Sequence, residues 1–232
     1  MRASTGNFET DFLYDDAEQI TELDLSADAD APDSEKIYDI SALSSFKNLK
    51  SLKLDGNIIE DISAVAELYN LEELDLTDNH IRDLSPLRRL TNLRELRFGG
   101  NEVDEISALV NLTNLKVLRF SDNHVSSLAP LMNLTKLTVL RFSDNEISSI
   151  SVLAGMTDLR ELWFYGNYVD DISALSGLTE LEYLYIGGNE IRDISPVINL
   201  RKLTELDING NKIPDKQIRE VNSTLPDCEV TW

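Results

Sequence analysis

Cysteine is almost missing from this sequence: Cys228 is the single one among 232 residues. An internal disulfide is therefore excluded, as are CxxC pairs and Cys/His metal clusters. Long apolar runs are missing too. No stretch approaches the roughly 18 residues that a membrane-spanning helix needs, so no membrane insertion is expected. Basic residues are scarce, with 21 Lys and Arg against 42 Asp and Glu and a net charge of −21. Nucleic-acid binders draw their affinity from neutralised phosphates, and this balance argues against such a partner and against anionic membranes. The opening MRASTGNFETDFLYDD has no apolar core of a secretory signal. Either the protein is intracellular or an export signal has been removed ahead of this stretch.

What is present is repetition. From Leu49 the chain divides without a gap into blocks of 22 residues, among them LEELDLTDNHIRDLSPLRRLTN, LRELRFGGNEVDEISALVNLTN and LKVLRFSDNHVSSLAPLMNLTK. Leucine opens each block, from Leu49, Leu71 and Leu93 through to Leu203. Asparagine recurs at Asn57, Asn79, Asn101, Asn123, Asn145, Asn167, Asn189 and Asn211. A fixed period of this length means a solenoid in which each block forms one coil.

Each column has a physical reason. The alternation LxLx has the period of a strand with one buried face, so Leu52 and Leu54 point inward while Ser51, Lys53 and Asp55 point outward. Asparagine stands where the chain must turn. Its amide can satisfy backbone groups that have left the ladder, once per coil. The segment DISAL or DLSPL then begins a short helical turn. Asp or Ser can cap it, and Pro86, Pro130 and Pro196 sit early in it, where a missing N–H costs little. About eight residues leave room only for a 3₁₀ turn.

Ten strands can be placed. Upstream, Ile20, Leu23 and Leu25 fit the first leucine columns, and Ile40, Leu43 and Phe46 fit the rest. Leu25 and Ile40 are 15 positions apart where a regular block has 8, so the first repeat carries a seven-residue insertion around SADADAPDSEK. At the far end IPDKQIREVNST reads as an amphipathic helix with Pro214 in its first turn, and Leu225, Cys228 and Val230 fit a last strand, EVTW. Cys228 falls in a leucine column and reads as a small buried hydrophobe. The expected organisation is a partial N-terminal cap or linker over 1–19, leucine-rich repeats over 20–202, and a degenerate repeat with a C-terminal cap over 203–232.

The 22-residue period, the DISxL segment and the joint in NLTNLKVLRFSDN resemble the internalin-type leucine-rich repeats of bacterial surface proteins. The resemblance covers roughly 20–232, and PDKQIREVNSTLPDCEVTW looks like the C-terminal cap of many such repeats. It implies an α/β solenoid: a right-handed curved array with a parallel concave sheet of about ten short strands, 3₁₀ turns on the convex side and a helical C-terminal cap. It also implies a non-catalytic scaffold, cell-surface or secreted, that binds a protein partner on the concave face. Two features depart from the family: no helical N-terminal cap is recognisable, and no immunoglobulin-like domain follows. Intracellular repeat proteins that regulate phosphatases share the period, so a cytoplasmic regulatory scaffold is the alternative.

Outward strand positions form rows along the sheet. The central row reads Lys53, Asp75, Arg97, Arg119, Arg141, Trp163, Tyr185 and Asp207. Like charges directly opposed on adjacent strands repel, so stability alone does not account for Arg97, Arg119 and Arg141. Beside them stand Trp163, Tyr165, Tyr183 and Tyr185, with Tyr168 in the adjoining loop. Trp, Tyr and Arg dominate binding hot spots, and these eight residues are the candidate partner-binding surface. The competing reading is charge balance by Glu73, Glu95 and Glu161, with the aromatics as strand-formers that shield one another. Phe98, Phe120, Phe142 and Phe164 occupy an inward column and read as core.

No metal or cofactor is expected. His80, Glu102 and His124 share a loop column, but the histidines lie two strands, roughly 9–10 Å, apart. The acidic run Asp28, Asp30, Asp33 and Glu35 lacks the glycine and spacing of a calcium loop. No catalytic triad or phosphate loop is present, so no enzyme activity is expected, and the chain is expected to be a monomer.

Overall fold

The computed structural model describes residues 19–28 and 30–232; nearly all of the expected N-terminal cap or linker lies outside them. Ten three-residue strands form one open parallel sheet in sequence order: β1 (Glu22–Asp24), β2 (Ser51–Lys53), β3 (Glu73–Asp75), β4 (Glu95–Arg97), β5 (Val117–Arg119), β6 (Val139–Arg141), β7 (Glu161–Trp163), β8 (Tyr183–Tyr185), β9 (Glu205–Asp207) and β10 (Glu229–Thr231). From β2 to β9 partners are offset by 22 residues, so equivalent side chains stand side by side. From β1 to β9 each coil returns through a 3₁₀ turn such as Ser85–Arg89 or Ser107–Asn111, and the last returns through an α-helix.

Between strands and turns lies a single core built from the leucine, isoleucine and phenylalanine columns, nearly all with no exposed surface. Four phenylalanine rings stack along it: Phe98 to Phe120 at 5.4 Å, Phe120 to Phe142 at 5.7 Å and Phe142 to Phe164 at 5.5 Å between centroids.

The asparagines tie successive coils together. Asn123 Nδ2 donates to the Phe120 carbonyl of its own coil (3.2 Å) and to the Phe98 carbonyl of the preceding one (3.0 Å). Its Oδ1 accepts from Val103 N–H at 3.0 Å. The same set recurs from Asn57 to Asn211. In the first repeat the cross-coil bond, Asn57 to the Leu25 carbonyl, spans 32 residues where Asn79 to Leu54 spans 25. The difference of seven is chain looped out between β1 and its turn, part of it a 3₁₀ turn at Asp33–Glu35.

Two local details differ from the sequence expectation. The turn-entry aspartates act from one residue further out: Ile40, Leu84 and Ile172 occupy the cap positions. Asp39, Asp83 and Asp171 accept from the first N–H of the turn, on Ser41, Ser85 and Ser173, at 2.9, 2.7 and 2.8 Å. Pro214 is likewise the cap of helix α1 (Asp215–Thr224) rather than part of its first turn. Helix α1 buries Ile218 and Val221 over the last coil, and Gln217 Oε1 accepts from Ile194 N–H at 2.8 Å. Cys228 packs half-buried against the core, and burial pushes its thiol up to about 11, away from the range of a reactive thiolate.

Each coil also needs a left-handed residue just before its asparagine. Gly56 sits at φ +75°, and a Cβ there would stand 2.7 Å from the Ala27 carbonyl oxygen. Gly56→Ala is therefore expected to cost about 1–3 kcal/mol. Gly155→Ala, in a turn with open space around it, is expected to be neutral or slightly stabilising. Urea midpoints of the two variants check the contrast.

Candidate functional site

The sheet register aligns Asp75, Arg97, Arg119, Arg141, Trp163, Tyr185 and Asp207 in one row across β3 to β9. They stand there because each lies between a leucine and a buried leucine, phenylalanine or isoleucine that point into the core, which turns the middle residue outward. The row beside it reads Glu95, Val117, Val139, Glu161, Tyr183 and Glu205.

Charge balance accounts for two of the three arginines. Arg97 pairs with Asp75 at 3.0 Å and also contacts Glu95, while Arg141 pairs with Glu161. Glu73 takes no arginine; it accepts from Ser51 Oγ at 3.3 Å. Arg119 has no acidic partner among the described residues. The contrast shows in their proton affinities. Burial opposes the charge of Arg97, but Asp75 and Glu95 outweigh it and hold the guanidinium above its ordinary value. Burial, then the charges of Arg141 and Arg97, push Arg119 below its own.

The row continues without a break into the aromatics. The Arg141 guanidinium lies 3.5 Å from the centroid of the Trp163 ring, and Trp163 lies 4.6 Å from Tyr185, tilted at 54°. Trp163 Nε1 is buried without a hydrogen-bond partner. The Tyr185 hydroxyl donates to Glu205; that bond, with some burial, raises its pKa to about 12. Tyr183, Tyr165 and Tyr168 are 37%, 47% and 61% exposed, so their rings offer apolar area to a partner. Six of the eight candidate residues thus stand on the paired strands β4 to β8, Tyr165 follows β7 and lies against Gly187 and Gly188 of the next coil, and Tyr168 is in the loop beyond it.

Two contributions to this surface escape sequence inspection. Glu205 orients Tyr185, and Gly187 and Gly188 make room for Tyr165. A Cβ on Gly187 would stand 2.9 Å from Tyr165 Cδ2, and one on Gly188 would stand 3.3 Å from its Cζ. The only sequence signal was a Gly-Gly pair placed one block after an aromatic.

Elsewhere each histidine of the loop column lies near a glutamate of the next coil: His80 Nδ1 is 4.0 Å from Glu102 and His124 Nδ1 is 3.8 Å from Glu146. Among the described residues no group of His, Cys, Asp and Glu has the arrangement to hold a metal ion. No helix among them is long and apolar enough to cross a membrane.

A family model described as leucine-rich repeats (2 copies) matches residues 69–111, 113–154, 135–177 and 179–223. Among solved structures, an internalin (inlF) from Listeria monocytogenes is 33% identical with a TM-score of 0.75, covering 94% of this chain and 68% of that one. Internalin C2 from the same organism is 33% identical with a TM-score of 0.77, covering 82% and 83%. A leucine-rich repeat protein from Leptospira interrogans is 26% identical with a TM-score of 0.83, covering 93% and 55%. No curated protein matches the chain.

Proposed function

Because the chain belongs to the internalin-type leucine-rich repeat family, we propose that it is a non-catalytic scaffold, surface-displayed or secreted, that holds a protein partner on its concave sheet face. The contact surface is Arg97, Arg119, Arg141, Trp163, Tyr165, Tyr168, Tyr183 and Tyr185. One observation carries this reading: an unbroken row from Arg119 through Arg141 and Trp163 to Tyr185, edged by three exposed tyrosines. Part-buried aromatics already packed against one another lose little side-chain entropy on binding, which suits them to anchor a partner. The protein acts as a monomer in this reading.

The test is affinity capture on the intact repeat array, followed by calorimetry with the captured protein. Trp163→Ala and Tyr185→Ala are each expected to weaken binding by more than about 1 kcal/mol. Undiminished affinity in the double variant, with its circular dichroism and unfolding midpoint preserved, would sink the proposal. Protease shaving of intact cells checks the location: a surface protein is cleaved and a cytoplasmic one is protected.

A further inference from the structure

The arginine row is uneven in a way that singles out its middle member. Arg97 draws its carboxylates from Asp75 on the preceding strand and from Glu95, two residues earlier; Arg141 draws its own from Glu161 on the following strand. The corresponding positions around Arg119 hold Arg97, Val117 and Val139. Every place from which a neighbouring arginine takes a carboxylate is here a cation or a valine. No hydrogen bond or ion pair reaches the Arg119 guanidinium among the described residues, and its Nε is buried without a partner.

A part-buried charge with no partner destabilises a protein, and the repeat contains a ready remedy: glutamate at position 117, as at Glu73, Glu95, Glu161 and Glu205. The free chain gains nothing from leaving it out. We propose that Arg119 is the receptor for an acidic side chain of the partner, an Asp or Glu carboxylate that lands beside Val117 and Val139. A guanidinium fork matches a carboxylate through two parallel N–H···O bonds, and the two valines keep water from competing. A side chain fits better than a chain terminus, because Arg119 lies on the fifth of ten strands, mid-face, where a partner crossing the sheet passes rather than stops. The inference rests on the concave-face reading above and names the chemistry of one contact within it.

The experiment follows the arginine Nε–H signals by NMR while small probes are added. N-acetylglutamate amide carries a side-chain carboxylate, N-acetylglutamine carries only an α-carboxylate, and N-acetylglutamine amide carries none. The Arg119 signal is expected to move with the first probe, more than those of Arg97 and Arg141, and not with the third. Val117→Glu supplies the missing carboxylate from within. It is expected to weaken the probe about tenfold or more while raising the unfolding midpoint, so misfolding is not the cause. Arg119→Gln is expected to abolish the response. Equal responses to all three probes, a stronger response to the α-carboxylate, or unchanged probe binding in Val117→Glu would each overturn the assignment. A failure of the Trp163 and Tyr185 variants to lose partner affinity overturns the broader reading and leaves the probe response standing, so the two failures are separable.

Discussion

Asn123→Ala is expected to lower the unfolding free energy by about 2–4 kcal/mol, read as a lower urea midpoint at unchanged m value. The side chain is 5% exposed, so water does not replace what is removed. Val103 N–H loses its only bond to Asn123 Oδ1. The carbonyls fare better. Phe98 O still accepts from Asn101 Nδ2 at 3.1 Å, and Phe120 O from Asn145 Nδ2 at 3.0 Å. Ser121 O, which also accepts from Asn123 at 3.3 Å, keeps its bond from Gly100 N–H at 2.9 Å. The cost is therefore one stranded donor, three weakened acceptors and a small void, rather than the sum of four lost bonds. Asn211 closes the ladder and is only part-buried, so Asn211→Ala is expected to cost about half as much or less. Equal losses at the two positions would mean that the ladder is not what joins the coils.

Phe120→Ala is expected to cost about 3–5 kcal/mol. Phe120 has no exposed surface and stacks on both sides, on Phe98 at 10° and on Phe142 at 16° between ring planes. Removing it opens a void in the middle of an array whose coils touch only their neighbours. The two halves then lose much of their mutual support, and the unfolding transition is expected to broaden as well as shift. Phe120→Leu is the discriminating companion. Leu54 and Leu76 fill the same column in other coils and are fully buried, so leucine there is expected to cost about 1–1.5 kcal/mol. A Phe120→Ala penalty no larger than that of Phe120→Leu would refute the stack as a stabilising feature. Both variants also bear on function, because the row from Arg119 to Tyr185 exists only while coil-to-coil spacing is held from behind by the ring stack and the asparagine ladder.

Much of this was legible in the residues. The LxL alternation gave the inward and outward faces, and the asparagine column marked the turn. The row of three arginines and two aromatics followed from counting. The identity of the asparagines was readable, but the sharing of each strand-end carbonyl between two successive amides was not. Nor was the left-handed backbone of Asp78, Asp122 and Asp144, at φ 54°, 57° and 52°, in a column otherwise held by glycine. Short polar side chains tolerate that conformation, so it leaves no mark beyond a column held only by Asp and Gly. Of the three glutamates in the competing charge-balance reading, Glu95 and Glu161 reach an arginine, whereas Glu73 takes Ser51 and Asp75 pairs with Arg97.

A period of 22 residues settles which residues are neighbours, because every coil repeats the same path and the register admits no slip without turning the leucines outward. It does not settle how long side chains spend their several rotatable bonds. Which carboxylate each guanidinium reaches, that Arg119 reaches none, that Tyr165 lies over two glycines and that Trp163 is held between Arg141 and Tyr185 all depend on rotamers chosen jointly across three or four coils. Those choices are made by packing in the assembled array, and only there do they exist.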